Sequence, residues 1–286
     1  MSIHPLSSLG PVYLTVRDLG QSVEFYEDQL GLQQNARNSG NVHLGVPGRD
    51  LIVLAENPNA RSYPRTTGLY HFALLVPTRL ELALALQRIV ETKTAVQGFA
   101  DHLVSEAIYL PDPDGIGIEI YRDRPRDQWQ YENGRLKMGT DPLDIDGLLK
   151  ELSDQPEIKN GLHPDTTMGH MHLHVSYLDS AEIFYRDILG FDLILRYGPS
   201  ASFLSAGGYH HHIGINTWAG VGAQPPPPNA TGMRWFSIAL PDYGALQEEI
   251  SRLNEKGIKW IETEEGFLLR DPSSNGILLT SKNNAG

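Results

Sequence analysis

Two segments of the chain, "VYLTVRDLGQSVEFYEDQLGL" (12–32) and "MHLHVSYLDSAEIFYRDILGF" (171–191), match at an offset of 159 residues, sharing Leu14/Leu173, Val16/Val175, Phe25/Phe184, Tyr26/Tyr185 and Gly31/Gly190. A repeat of this kind constrains the fold strongly, because both copies must bury the same apolar face in equivalent surroundings. The same offset carries "LIVLAEN" (51–57) onto "HHHIGIN" (210–216) and "YLPDPDGIGIEIY" (109–121) onto "LLRDPSSNGILLT" (268–280). In addition, "TGLYHFALLVP" (67–77) answers "TGMRWFSIALP" (231–241), so each half holds two related modules. Within a module, an alternating strand, an amphipathic helix ended by glycine, and short strands separated by turn residues read as βαβββ.

The expected class is therefore α+β, with four βαβββ modules near 10–60, 66–125, 168–220 and 230–282. They fall into an N-terminal domain (1–125) and a C-terminal domain (168–286), joined by a polar linker (126–167) in which "DIDGLLKELSD" predicts a short helix. Pro225 to Pro228 form a stiff connector between the third and fourth modules. "DPDG" at 112–115 lacks the remaining ligands of a calcium loop and reads as a turn.

With 286 residues, 40% of them hydrophobic, the chain can bury one large or two ordinary cores. No long apolar run and no leader-like start are seen, so the expectation is a cytoplasmic protein with no membrane span. The absence of cysteine excludes disulfides and thiolate metal sites and leaves histidine and carboxylate as ligands. A net charge of −12 argues against a nucleic-acid partner.

Six of the eleven histidines stand in two short stretches. In "GHMHLHV", His170, His172 and His174 alternate with apolar residues and share one face of a strand. In "GGYHHHIGIN", His210, His211 and His212 are expected inside a buried strand, with His210 and His212 on one face and His211 on the other. Glu119 sits between Ile118 and Ile120, and a carboxylate on the buried face of an apolar strand is costly unless paired or metal-bound. A lone strand histidine such as His71 is more often a hydrogen-bonded core residue than a ligand, so its meaning depends on its neighbours.

Together, "FYRDILGF", "TGLYHFALLVP", "DHLVSEAIYLPDPDGIGIEIYRDRP" and "GGYHHHIGINTW" resemble the vicinal oxygen chelate superfamily of glyoxalases, bleomycin resistance proteins and extradiol dioxygenases. The resemblance covers nearly the whole chain and is similar to the branch of bacterial catechol 2,3-dioxygenases. It implies that modules pair into two incomplete β-barrels, with a ligand histidine at the head of a module's first strand and a ligand glutamate on its last. The head positions hold Pro11, His71, His170 and Trp235; the last strand has Glu119 in module two and Leu278 in module four. The dioxygenases usually keep their metal in modules three and four. Here the matching ligands are His71, Glu119 and His170, so modules two and three are expected to form the metal-bearing barrel and modules one and four the other.

The resemblance further implies a metal-dependent extradiol ring-cleaving dioxygenase. Fe(II) is the expected ion, although manganese, zinc or nickel also suit such donors. The implied partners are dioxygen and a small catechol or hydroquinone-like aromatic, and a homo-oligomer stays open. By the same resemblance His212, then His211, is the acid–base candidate, with His210 beside them; a polar lining is the alternative role for all three. Tyr109, ten residues before Glu119, either hydrogen-bonds the substrate or is an ordinary strand tyrosine. His102 either closes over the substrate or joins Ser105 and Glu106 in a turn, while His172 and His174 line the cavity or orient ligands. Glyoxalase I carries a fourth, carboxylate ligand, whereas Leu193 to Pro241 contain no Asp or Glu, which favours ring cleavage. A glyoxalase-like lyase or isomerase and a non-catalytic binder of small aromatics remain alternatives.

Overall fold

Side-chain caps and apolar periodicity set the elements of each module in the computed structural model, which describes residues 2–38, 40–153 and 161–282. Module one runs β1 (Ser8–Val16), α1 (Leu19–Glu24), β2 (Gln33–Asn38), β3 (Asn41–Val46) and β4 (Arg49–Glu56). Module two runs β5 (Gly68–Leu75), α2 (Arg79–Glu91), β6 (Gly98–Asp101), β7 (Ser105–Pro111) and β8 (Gly117–Asp123). The Asp18 carboxylate caps α1 by accepting from the Gln21 amide, and the Thr78 hydroxyl caps α2 by accepting from Glu81. On α2 every residue from Glu81 to Leu86 is buried, as is Ile89, so the first half of the helix is covered on more than one face.

The linker holds a small hairpin, β9 (Tyr131–Glu132) and β10 (Arg135–Leu136), and the expected helix as α3 (Ile145–Lys150), capped by Asp144. The end of that expected helix, at residue 154, and the last residues of the C-terminal domain, 283–286, lie outside the described residues. Module three follows with β11 (Thr167–His174), α4 (Leu178–Ile183), β12 (Asp192–Tyr197), β13 (Ala201–Ser205) and β14 (Ile213–Asn216). Module four has β15 (Gly232–Leu240), α5 (Tyr243–Glu255), β16 (Trp260–Glu262), β17 (Phe267–Arg270) and β18 (Gly276–Ser281).

The repeat shows most clearly where α1 and α4 end. Both widen into a π turn, Phe25–Gln29 and Phe184–Ile188, with the Leu30 amide donating to the Phe25 carbonyl and the Leu189 amide to that of Phe184. The wider turn buries both aromatic residues of each "FY" pair. The Tyr26 hydroxyl donates to Asp112 at 3.0 Å, and Tyr185, its repeat partner, donates to Asp271 at 3.1 Å. Asp112 also accepts from the amides of Asp114 and Ile116, which holds "DPDG" as the expected turn, and Asp271 does the same for Ser273 and Asn275. Burial pushes the Asp112 carboxyl up to about 6 and raises that of Asp271.

Two eight-stranded sheets result. One has the order β16-β17-β18-β15-β1-β4-β3-β2 and the other β12-β13-β14-β11-β5-β8-β7-β6. Modules one and four thus share one sheet and modules two and three the other, as the ligand positions led us to expect. In modules two, three and four, the first and last strands pair parallel: β5 with β8, β11 with β14, β15 with β18. By compactness the chain divides into Met1–Leu14, Arg61–Tyr70 and His170–Gly286 on one side and Thr15–Ala60 with His71–Gly169 on the other; three of the four divisions fall inside β1, β5 and β11, and the fourth lies between β4 and β5.

One element differs from expectation. β14 begins only at Ile213, so His210, His211 and His212 lie in the turn before the strand and the two-residue alternation does not govern them. Gly207 and Gly208 both adopt positive φ, and a side chain at Gly207 would collide with the Pro5 carbonyl, so the backbone leaves extended geometry there.

Candidate metal centre

The parallel register of β5 and β8 sets Ala73 opposite Glu119 and His71 opposite Gly117. His71 and Glu119 therefore emerge on one face, and His71 Nε2 lies 3.0 Å from Glu119 Oε2. Both are buried, Glu119 being only 2% exposed. On that face Ala73, Ala107 and Tyr121 form a buried cluster with Leu75 and Tyr109 packed against it. β7 runs antiparallel to β8 with Tyr109 directly opposite Glu119, which brings the Tyr109 ring centroid to 5.6 Å from that of His71. His102, just beyond β6, places Nε2 2.7 Å from the Tyr109 hydroxyl and Nδ1 2.7 Å from the Gly139 carbonyl.

On β11 the alternation holds: His170 and His172 are buried and His174 is half-buried. The His170 ring centroid lies 4.1 Å from that of His211 and 6.4 Å from that of His210. His210 and His211 share a 2.7 Å contact between their Nδ1 atoms, so one of them donates there and the other accepts. His212 packs on Tyr209 and Phe191, and its Nδ1 accepts from the Ala206 amide with the Ser205 hydroxyl 3.0 Å away. The histidines beside His170 are thus His211 and His210. Further along β11, His172 meets Phe203, Tyr70 and Trp218, while His174 Nδ1 is 2.7 Å from Asn216 Oδ1.

The strands β11, β5 and β8 are consecutive in their sheet, and His170, His71 and Glu119, all buried, each offer one ligand atom within 4.8 Å of the other two. Two imidazole nitrogens and one carboxylate oxygen, shielded from water and gathered this closely, fit a divalent transition ion. Module three offers no fourth carboxylate at the matching place. There Gly214 stands opposite His172 as Glu119 stands opposite Ala73, and a Cβ on Gly214 would come within 2.9 Å of the His172 ring.

Two contributors carry no sequence signal. Gly139 lies in the linker without any periodic pattern, yet its carbonyl faces His102. Gly169, beside His170, must lack a side chain because a Cβ there would fall 1.9 Å from the Tyr121 hydroxyl.

Comparison with known proteins agrees with this architecture. The chain is 46% identical over 282 residues to a protein of Bacillus subtilis (strain 168) named catechol-2,3-dioxygenase, covering 97% of this chain and 98% of that protein. Among solved structures, one from Bacillus subtilis subsp. subtilis str. 168 superposes with a TM-score of 0.65 at 14% identity, covering 98% of this chain and 86% of the other. Glyoxalase I from Zea mays superposes with a TM-score of 0.60 at 16% identity, covering 97% and 93%. Both share the fold. Residues 8–120 match the family described as glyoxalase/bleomycin resistance protein/dioxygenase. The chain belongs to that superfamily.

Proposed function

We propose that this protein is an extradiol ring-cleaving dioxygenase acting on a catechol or hydroquinone-like aromatic, with His71, Glu119 and His170 as ligands of a divalent ion, Fe(II) first among the candidates. The observation that carries the reading is a donor set of three residues with glycine where module three would have to supply a fourth carboxylate. Three protein ligands leave room for a bidentate aromatic and a second small reactant, as ring cleavage requires and a four-ligand site does not. The 46% identical relative named catechol-2,3-dioxygenase supports the same direction. When bound, an ion in such a site supplies a meeting point for the two oxygens of a catechol and for dioxygen and passes electron density between them.

The chain's own residues orient the aromatic and move protons. Tyr109, opposite Glu119 and hydrogen-bonded to His102, is positioned to hold a substrate hydroxyl. His211, whose ring lies against that of His170, takes the acid–base role in this reading, with His212 one place behind it. His172 and His174, with Tyr70 and Trp218, form an aromatic wall further along the same strand.

The test is elemental analysis of protein purified without added metal, for the wild type and for His71→Ala and His170→Ala, followed by addition of catechol in air. Stoichiometric transition metal in the wild type, lost in both variants, with a yellow ring-opened product, is the expected result. Retention of the metal by either variant overturns the ligand set. Metal loss without ring opening by the wild type overturns the reaction.

A further inference from the structure

The linker touches the site through an unusual clasp on His102. Its Nδ1 stands 2.7 Å from the Gly139 carbonyl, while the Gly139 amide donates back to the His102 carbonyl at 3.2 Å. Two residues away the clasp becomes a short antiparallel bridge: the Asp101 amide donates to Asp141 at 2.8 Å and the Asp141 amide returns the bond at 2.9 Å. Asp101 is held in turn by Arg124 at 2.5 Å, and its other oxygen accepts from the Leu103 amide. The linker is also anchored at its helix, where Arg79 donates to the Gly147 carbonyl while pairing with the buried Glu106. Residues 139–141 therefore act as an extra strand laid along the edge of β6.

A carbonyl oxygen carries no proton. The 2.7 Å contact to Gly139 requires Nδ1 of His102 to be the donor, and in the neutral ring Nε2 is then the acceptor. Across the second 2.7 Å contact the Tyr109 hydroxyl must donate to His102. A phenol has one proton to give, so toward any further group Tyr109 accepts.

We propose that the linker is a working part of the site: through the Gly139 carbonyl it fixes His102 as the Nδ1–H tautomer and so makes Tyr109 a hydrogen-bond acceptor selective for a substrate hydroxyl. Gly139 is a positioning residue, acting through His102 on Tyr109. The identity of that hydroxyl as one of a catechol rests on the function proposed above. The substrate O–H bond breaks as a new O–H bond forms at Tyr109, while the proton already on Tyr109 passes to His102 Nε2. The substrate loses one proton and His102 gains one, its Nδ1–H remaining on Gly139.

The test begins with the tautomer. Long-range proton–nitrogen NMR on the full chain labelled at histidine, with zinc added to keep the sample diamagnetic, should report His102 as Nδ1–H, with its Nε2 signal moving in Tyr109→Phe. An Nε2–H tautomer overturns the proposal whatever the reaction is. The second arm is Gly139→Pro, which removes the amide half of the clasp. Its kcat for catechol should fall roughly tenfold to a hundredfold, but add nothing further in a Tyr109→Phe background. Equal losses in both backgrounds would assign Gly139 a merely structural role and overturn the proposal. If Gly139→Pro does not fold, the wild-type tautomer still decides. A chain that shows the Nδ1–H tautomer but is inert toward catechol supports the positioning and overturns the dioxygenase reading instead.

Discussion

β5/β8 and β15/β18 are the same construction used for different ends. In each, a module's first strand pairs parallel with its last, and the register sets Ala73 opposite Glu119 in one and Ser237 opposite Leu278 in the other. The head of β5 holds His71, its Nε2 3.0 Å from Glu119 Oε2, whereas the corresponding Trp235 stacks on Tyr13 with centroids 4.7 Å apart and Leu278 is buried. Backbone and register are common to both, so the two strand pairs are separated by two side chains, and the proposed ion site rests on those of β5 and β8 together with His170. A buried carboxylate lowers stability wherever nothing compensates it, and the apolar pair avoids that cost.

Exchanging the two side chains separates the strand pairs most strongly. Glu119→Leu should abolish metal binding and lower turnover by about three orders of magnitude or more, while unfolding in denaturant shifts little or toward greater stability. Leu278→Glu should do the reverse, costing about 3–5 kcal/mol in unfolding free energy with no gain of metal and no direct effect on the site. Elemental analysis and urea titration of both variants check this. Metal retained in Glu119→Leu would mean that the two strand pairs do not differ in the way proposed.

Next in size is the contrast between neighbouring histidines ahead of β14. His211→Ala should leave the metal in place and slow turnover on the order of a hundredfold. His212→Ala, which loses contacts to Tyr209, Phe191 and the Ala206 amide, should cost less than about tenfold in rate and show chiefly as reduced stability. Single-turnover rates with metal content measured in parallel separate the two, and a larger rate loss in His212→Ala would return the acid–base role to that residue.

The repeat made the modules legible, since Phe25/Phe184 and Tyr26/Tyr185 report the same packing twice, and the stripped head positions Pro11 and Trp235 left only one way to bring His71 and His170 into one sheet. In sequence the triple histidine looks like strand because Ile213 and Ile215 alternate beside it, yet Gly207 and Gly208 end the extended run before it starts, and only backbone torsions decide which histidine faces His170. Gly139 was invisible for a deeper reason. Its contribution is a main-chain carbonyl, and a carbonyl leaves no trace in residue type. The π turns are equally silent: each holds a tyrosine, Tyr26 or Tyr185, whose hydrogen-bond partner lies far along the chain.

Those aspartates supply a comparison between the halves that involves no metal. Asp112, raised by burial to about 6 against about 3.9 in an unfolded chain, keeps its proton more tightly when folded. The unfolded state then binds fewer protons between about pH 4 and 6, so this group's contribution to stability is greatest below pH 4 and is lost as pH rises through 6. Asp112→Asn should flatten the stability curve across that window by about 2–3 kcal/mol, read as the difference between wild type and variant in urea midpoints at successive pH values. An unchanged slope would show that Asp112 is not the group responsible.

The smallest effects belong to the tyrosines themselves. Tyr26→Phe and Tyr185→Phe each remove one hydrogen bond to a buried carboxyl, at a cost of about 1–2 kcal/mol. The Tyr26 bond favours the ionised form of Asp112, so its loss should cost more at pH 8 than at pH 4, and Tyr185→Phe should follow the same sign through Asp271. With the two bonds in separate halves of the repeat, the double variant should equal the sum of the singles within about 0.5 kcal/mol. A larger deviation would mean that unfolding of one half is felt in the other, and the twin turns would then have to be treated as one cooperative device.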